Sequence, residues 1–250
     1  MIKLLKTLTM RIIYSMILFL FSCALFSQNK TIVPQSGTIV FSSKEIITDQ
    51  ALYTASLKAF KKKMLAGLEE EIILERLTFG MKTDAIQLKE AVNMVEENIS
   101  SVLEIKNNFD YRHEFNGSII KSYQTFGGEV LEENVINTKT GMKNNTEYYS
   151  YNEIFDLHEF RNEIKKVNGF DCYKVTYSYK EESSSGFNDF FNGYINFREM
   201  WVTEKIKCAF HPVVNDRLIL EKYYPLEISN RSDAVKGCET KYSLVSIEIN

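Results

Sequence analysis

The run Asn168-Gly169-Phe170-Asp171-Cys172-Tyr173-Lys174-Val175-Thr176-Tyr177-Ser178-Tyr179 alternates with a period of two. Tyr173, Val175, Tyr177 and Tyr179 fall on one side. Lys174, Thr176 and Ser178 fall on the other. That is a strand with one covered face and one wet face, the mark of an antiparallel sheet. Asn168-Gly169 is a two-residue hairpin signal, and Glu163 to Val167 before it reads as the partner strand.

The same pattern extends outward in both directions. Downstream, Tyr194 to Ile206, Glu221 to Ser229 and Lys241 to Ile249 read as strands. Upstream, Tyr111 to Phe115 and Ser118 to Phe126 flank a second turn signal, Asn116-Gly117. Gly127-Gly128 and Thr140-Gly141 mark further turns, and Glu147 to Tyr151 reads as an aromatic strand. Near the start, Ser36 to Ile47 is a first strand, with Thr38-Ile39-Val40-Phe41 at its centre.

Between the first strand and residue 109 the period changes. Leu57, Phe60, Met64, Leu68 and Ile72 recur at three and four residues, behind Asp49 as N-cap. Thr83-Asp84 opens a second stripe, Leu88, Val92, Val95, Ile99 and Val102. Two stripes joined by a short turn predict a helical hairpin. The expected fold class is therefore α+β, mainly β: a curved, half-barrel-like antiparallel sheet with a helical hairpin inserted after the first strand, over about 50–106. No Pro- or Gly-rich linker divides residues 28–250, so a single domain is expected.

The chain has 250 residues, 44% of them hydrophobic, with 17 Phe and 14 Tyr, which suffices for a core. A net charge of -3 and no basic stripe argue against a nucleic-acid partner. The aromatic strand faces have two readings: a filled core, or a hollow that takes an apolar ligand.

Lys3, Lys6 and Arg11 precede the uncharged run Ile12 to Phe26, which is followed by Ser27-Gln28. This describes a secretory signal peptide over 1–27, with cleavage expected after Ser27. Met10-Arg11 is an alternative start. Removing 1–27 takes three of the 30 Lys and Arg and none of the 33 Asp and Glu, which leaves 27 against 33. Leu20-Phe21-Ser22-Cys23 resembles a bacterial lipobox, so lipidation at Cys23 is an alternative, and an outer-membrane lipoprotein would result. An uncleaved anchor is a further one. The expected location is periplasm or cell envelope.

Cys172, Cys208 and Cys238 fit no zinc spacing. In an oxidising compartment one disulfide can form. Cys208–Cys238 is the first choice, because both sit at strand ends; Cys172–Cys208 is the second. All three buried and reduced is the third. No cofactor or metal is expected. His113 and Glu114 would point to opposite faces of a strand, which opposes a shared metal site with Asp110. Nucleophile elbows, phosphate-cradling loops and dinucleotide fingerprints are absent. No catalytic residue is assigned and no enzyme activity is expected.

Several segments resemble the GLPGLI family of exported bacterial proteins. They are Ser36-Gly37-Thr38-Ile39-Val40-Phe41, the run from Ile164 through Asn168-Gly169 to Cys172 and Val175, Trp201-Val202-Thr203-Glu204-Lys205-Ile206, and Tyr224-Pro225-Leu226-Glu227-Ile228. The segment that gives the family its name is absent, so the resemblance is that of a divergent member. It implies a β-rich envelope protein, with a LolA-like half-barrel fold as an expectation, and it carries no catalytic residues. Gly169 would supply a positive φ at its turn and Trp201 would anchor the core. Two functions are expected from all this. One is a non-enzymatic envelope protein that binds a lipid or an acylated partner in its curved sheet. The other is an interaction or scaffold module that binds an envelope protein without a small ligand.

Overall fold

The computed structural model describes residues 31–78, Asn93, 109–180 and 193–250. Its elements are β1 (Ser36–Ile47), α1 (Gln50–Thr78), β2 (Phe109–Asn116), β3 (Ile119–Phe126), β4 (Glu129–Asn137), β5 (Met142–Lys143), β6 (Thr146–Glu147), β7 (Glu153–Val167), β8 (Phe170–Lys180), β9 (Asn196–Thr203), α2 (Arg217–Leu220), β10 (Tyr224–Ser232) and β11 (Cys238–Ile249). The eleven strands form one open, curved sheet in the order β6-β5-β4-β3-β2-β1-β11-β10-β9-β8-β7. Every strand pair in it is antiparallel.

Alternation sets which face is covered. In β8, Tyr173, Val175, Tyr177 and Tyr179 are all buried, as their period of two requires. In β1 the buried residues are Ile39, Phe41 and Ser43. Val167 pairs with Phe170, so Asn168-Gly169 is the whole loop, and both residues have positive φ, 46° and 86°. Those are the dihedrals of a type I′ turn. The other hairpin differs by one residue from the expectation. Asn116 pairs with Ile119, so the loop is Gly117-Ser118, with Gly117 at φ 59°.

One short link makes the sheet curl. Strands β6 and β7 occupy opposite edges, ten strand spacings apart, which would be about 48 Å in a flat sheet. Only residues 148–152 join them. Six Cα steps reach about 21 Å at full extension. The edges must therefore approach each other, and the link crosses the remaining gap. The expected strand over Glu147 to Tyr151 is corrected here: the ladder stops at Glu147, because the chain is leaving one edge for the other. Ser150 makes a lone parallel bridge to Asp216, and its N–H donates to Asn215 O at 3.0 Å.

The β9–β10 connection, 204–223, crosses the inner side of the curl. It buries Ile206, Phe210, Val214, Ile219, Leu220 and Tyr223. They join Phe41, Phe115, Ile120, Val175, Met200 and Leu226 in one core. The middle of the sheet is thus filled by the chain itself. Five buried aliphatic or Phe side chains from this connection contribute on the order of 10 kcal/mol. That is comparable to the whole stability of a domain, about 5–15 kcal/mol. The connection is core, and displacing it would amount to unfolding.

Helix α1 begins as expected: Asp49 Oδ1 accepts from the Leu52 N–H at 3.0 Å. Phe60 and Met64 from the anticipated stripe are buried, against Tyr194, Ala234 and Val235. The β10–β11 turn docks the start of the helix. Gly237 O accepts from the Thr48 and Asp49 N–H groups at 2.9 and 3.1 Å, and Ser56 Oγ accepts from the Lys236 N–H at 2.9 Å. The second half of the expected hairpin, 83–102, lies outside the described residues except for Asn93, which is helical. The expected signal peptide and Cys23 lie outside them as well.

Candidate functional site

The ends of β1 separate two clefts. The first has a volume of about 370 Å³. Its walls come from the lead into β1 (Val33, Pro34, Gln35), the β2–β3 hairpin, the β4–β5 turn and residues 207–210 of the β9–β10 connection. Phe115, Ile120 and Phe210 line it and are otherwise buried, so its floor is apolar. Lys139 and Lys207, both exposed, also line it, and among the described residues no carboxylate does. Local folding explains the cleft. The Lys207 N–H donates to Ile32 O at 2.8 Å, which pins the connection beside the lead strand. Gly117 N–H donates to Gln35 O at 2.8 Å, which brings the hairpin turn to the same place. The second cleft, about 640 Å³, lies beside the start of α1 and is lined by Leu52, Ile195, Phe197, Arg231 and Cys238 among others.

Cys208 lines the first cleft and Cys238 the second. Cys208 stands next to the lead into β1, whereas Cys238 pairs with Ile47 at the far end of that strand. A twelve-residue strand is about 36 Å long, and a disulfide needs Cα atoms within about 7 Å. The expected Cys208–Cys238 bridge is therefore not formed. All three described cysteines are free, so Cys172–Cys208 is not formed either. Each thiol donates to a local carbonyl: Cys172 to Phe170 O, Cys208 to Phe210 O and Cys238 to Val235 O. Burial pushes the Cys172 thiol up to about 12 and the Cys208 thiol up to about 11, which keeps both protonated and poorly nucleophilic.

Two of the three histidines, His113 and His211, are buried inside the curl. His211 is fully enclosed, between Phe41 at 4.6 Å and Tyr224 at 5.0 Å, centroid to centroid. Its Nδ1 accepts from the Val213 and Val214 N–H groups, both at 3.0 Å, so the proton sits on Nε2, which donates to Pro225 O at 2.9 Å. His113 faces the same interior beside Phe115, and its Nδ1 is buried with no partner among the described residues. Burial holds both rings down at about 3; His211 and Lys143 add to the effect at His113. Neutral rings on an apolar face are core side chains here. His158 is exposed on β7, and Glu114 sits on the face opposite His113, paired with Arg112. Among the described residues no three His, Cys, Asp or Glu side chains come close enough to hold a metal ion.

Sequence reasoning missed a buried cation. Arg198 donates to Tyr177 Oη and Tyr179 Oη, both at 3.0 Å, and to Asn230 Oδ1 at 2.7 Å. Burial works against its charge, and the two tyrosines hold it in place. The signal was visible: Arg198 shares the register of Met200, and it pairs with Tyr177 across the ladder. Sequence reasoning also missed a clasp on the rim. Glu159 on β7 accepts from Lys222, from Tyr223 Oη at 2.6 Å and from Arg161 Nε at 2.6 Å. Those donors hold its carboxyl at about 2. Arg161 and Tyr173 in turn both donate to Glu204, each at 2.9 Å. Both ends of the 204–223 connection are thereby fastened to β7. Trp201 is half-buried under Lys165, and Gly169 has the positive φ expected of it.

Fold and site together describe a curled antiparallel sheet with a self-filled centre and a cleft beside each end of β1, the first with an apolar floor and a polar rim. Compared with known proteins, the chain matches no family, no curated protein and no solved structure.

Proposed function

We propose that the protein is a non-enzymatic component of the periplasm or cell envelope that binds a lipid or an acylated partner at the rim of its curled sheet. The observation that carries this reading is the 370 Å³ cleft, floored by Phe115, Ile120 and Phe210 and open to solvent. That volume is within the range of small-molecule sites. The signal-like segment 1–27 and the resemblance to GLPGLI-type exported proteins support the location. The filled centre moves the ligand from the middle of the half-barrel to its end.

The rival reading, a scaffold that captures a protein by strand addition, has less support. Edge strand β6 has two residues. Edge strand β7 is broken by bulges at 155/158 and 160/164, and it carries seven charged residues besides. Both are devices that blunt an edge.

The test is to express the full chain in a bacterium, purify it from the periplasm under mild conditions and extract it with organic solvent. A stoichiometric acyl-containing molecule in the extract supports the reading. A protein recovered with no extractable lipid, and unable to take one up from envelope lipid, contradicts it.

A further inference from the structure

Resting on that reading, we infer which ligand the cleft takes: the single chain of a long-chain carboxylate, with its head group held between Lys139 and Lys207. Three features of the cleft point there. Its size is one. A cavity of about 150 Å³ accommodates benzene, so 370 Å³ accommodates on the order of a dozen carbons. That is the volume of one short acyl chain. The second is its polarity, with Phe115, Ile120, Phe210, Val33 and Ala209 lining the tail region.

The third is charge. Lys139 comes from the β4–β5 turn and Lys207 from the β9–β10 connection, two elements far apart in sequence that both line this cleft. Among the described residues neither forms an ion pair. Glu204 is the acid that feels Lys207, and it is already bound by Tyr173 and Arg161. Among the described residues the lining supplies no carboxylate to neutralise the two lysines. An anionic head group on an apolar tail would complement both parts. Cys208 lies in the wall as a protonated thiol and is not asked to react.

The experiment is calorimetric titration of the full chain at low salt with sodium dodecanoate below its micelle concentration, with dodecanol, and with vesicles of phosphatidylglycerol. The double variant Lys139→Gln/Lys207→Gln and the cleft-filling variant Ala209→Trp are titrated alongside, and each is checked for folding by its unfolding midpoint. The lysines are exposed, so their variant keeps its fold. Expected are one dodecanoate per chain, binding weakened about five- to tenfold in the lysine variant, and binding abolished by Ala209→Trp. Dodecanol that binds as well as dodecanoate, or indifference to the lysine variant, overturns the head-group assignment and leaves an acyl-binding protein. Binding of vesicles alone overturns the single-chain assignment. Dodecanoate binding that survives in a folded Ala209→Trp variant overturns the location. Failure of all three probes overturns both this inference and the reading it rests on.

Discussion

Tyr148 and His211 exchange two hydrogen bonds across the seam of the sheet. The phenol donates to His211 O at 2.7 Å and accepts from the His211 N–H at 3.0 Å. Tyr148 belongs to the link between the two edges, and His211 to the connection that fills the centre. This pair is where the curl is fastened. Tyr148→Phe leaves a buried N–H and a buried carbonyl without that partner. The expected cost is about 1–3 kcal/mol in urea unfolding. A Phe variant as stable as the parent would show that the seam is held elsewhere.

The buried histidines fix the response to acid. Their folded values, about 3, lie below the usual 6.5, so between those limits the unfolded chain binds protons that the folded chain refuses. Stability is therefore fully present above about pH 6.5 and falls as pH drops toward 3. The slope is about 1.4 kcal/mol per pH unit for each ring. His113→Leu should flatten that slope and cost less at neutral pH than the same change at His211, because its Nδ1 has no partner among the described residues to lose. His211→Leu should cost several kcal/mol, since two N–H groups and one carbonyl lose theirs. Urea midpoints across pH 3–8 decide; a parent protein with flat stability over that window would contradict the assignment of neutral rings.

Two glycines are required by close approach. At Gly37, φ 112°, an added Cβ would stand 1.8 Å from Glu248 O. At Gly237, φ 82°, it would stand 2.6 Å from Asp49 O and from Tyr53 N. Alanine at either should lower stability by about 2–4 kcal/mol. Gly128, φ 88°, meets nothing within 4 Å, so Gly128→Ala carries the backbone cost alone, about 1 kcal/mol. Thermal unfolding of the three variants should reproduce that order.

The thiols give a chemical check. Under non-reducing conditions no intramolecular bridge should join Cys208 and Cys238. In the native protein Cys172, fully buried, should resist alkylation. After denaturation all three should alkylate. Mass spectrometry of the alkylated chain reads both states, and a Cys208–Cys238 peptide in a non-reduced digest would refute the placement of these residues at opposite ends of β1.

What could be read from the sequence was local. The alternation in β8, the bounds of β1, the Asn168-Gly169 turn and the Asp49 cap all follow from rules that act within ten residues. The first part of β7 escaped notice because Asp156, φ 53°, and the bulge at 160/164 break its period. Strand β4 escaped because its outward residues include Val130, Leu131 and Val135 while the inward ones include Asn134. The filling of the centre could not be read at all. Phe210, Val214 and Ile219 have no period, and only the closure of the sheet gives them a common destination. The cleft is a product of the same closure. Its lysines are 68 residues apart in the chain, and nothing near either one points to the other.

The most direct test of the account is a crystal structure of the protein grown with dodecanoate. One chain is expected in the cleft between Phe115 and Phe210, with its carboxylate near Lys139 and Lys207 and residues 204–223 in place. A ligand found in the middle of the sheet with that connection displaced would contradict it, as would an empty cleft at saturating ligand.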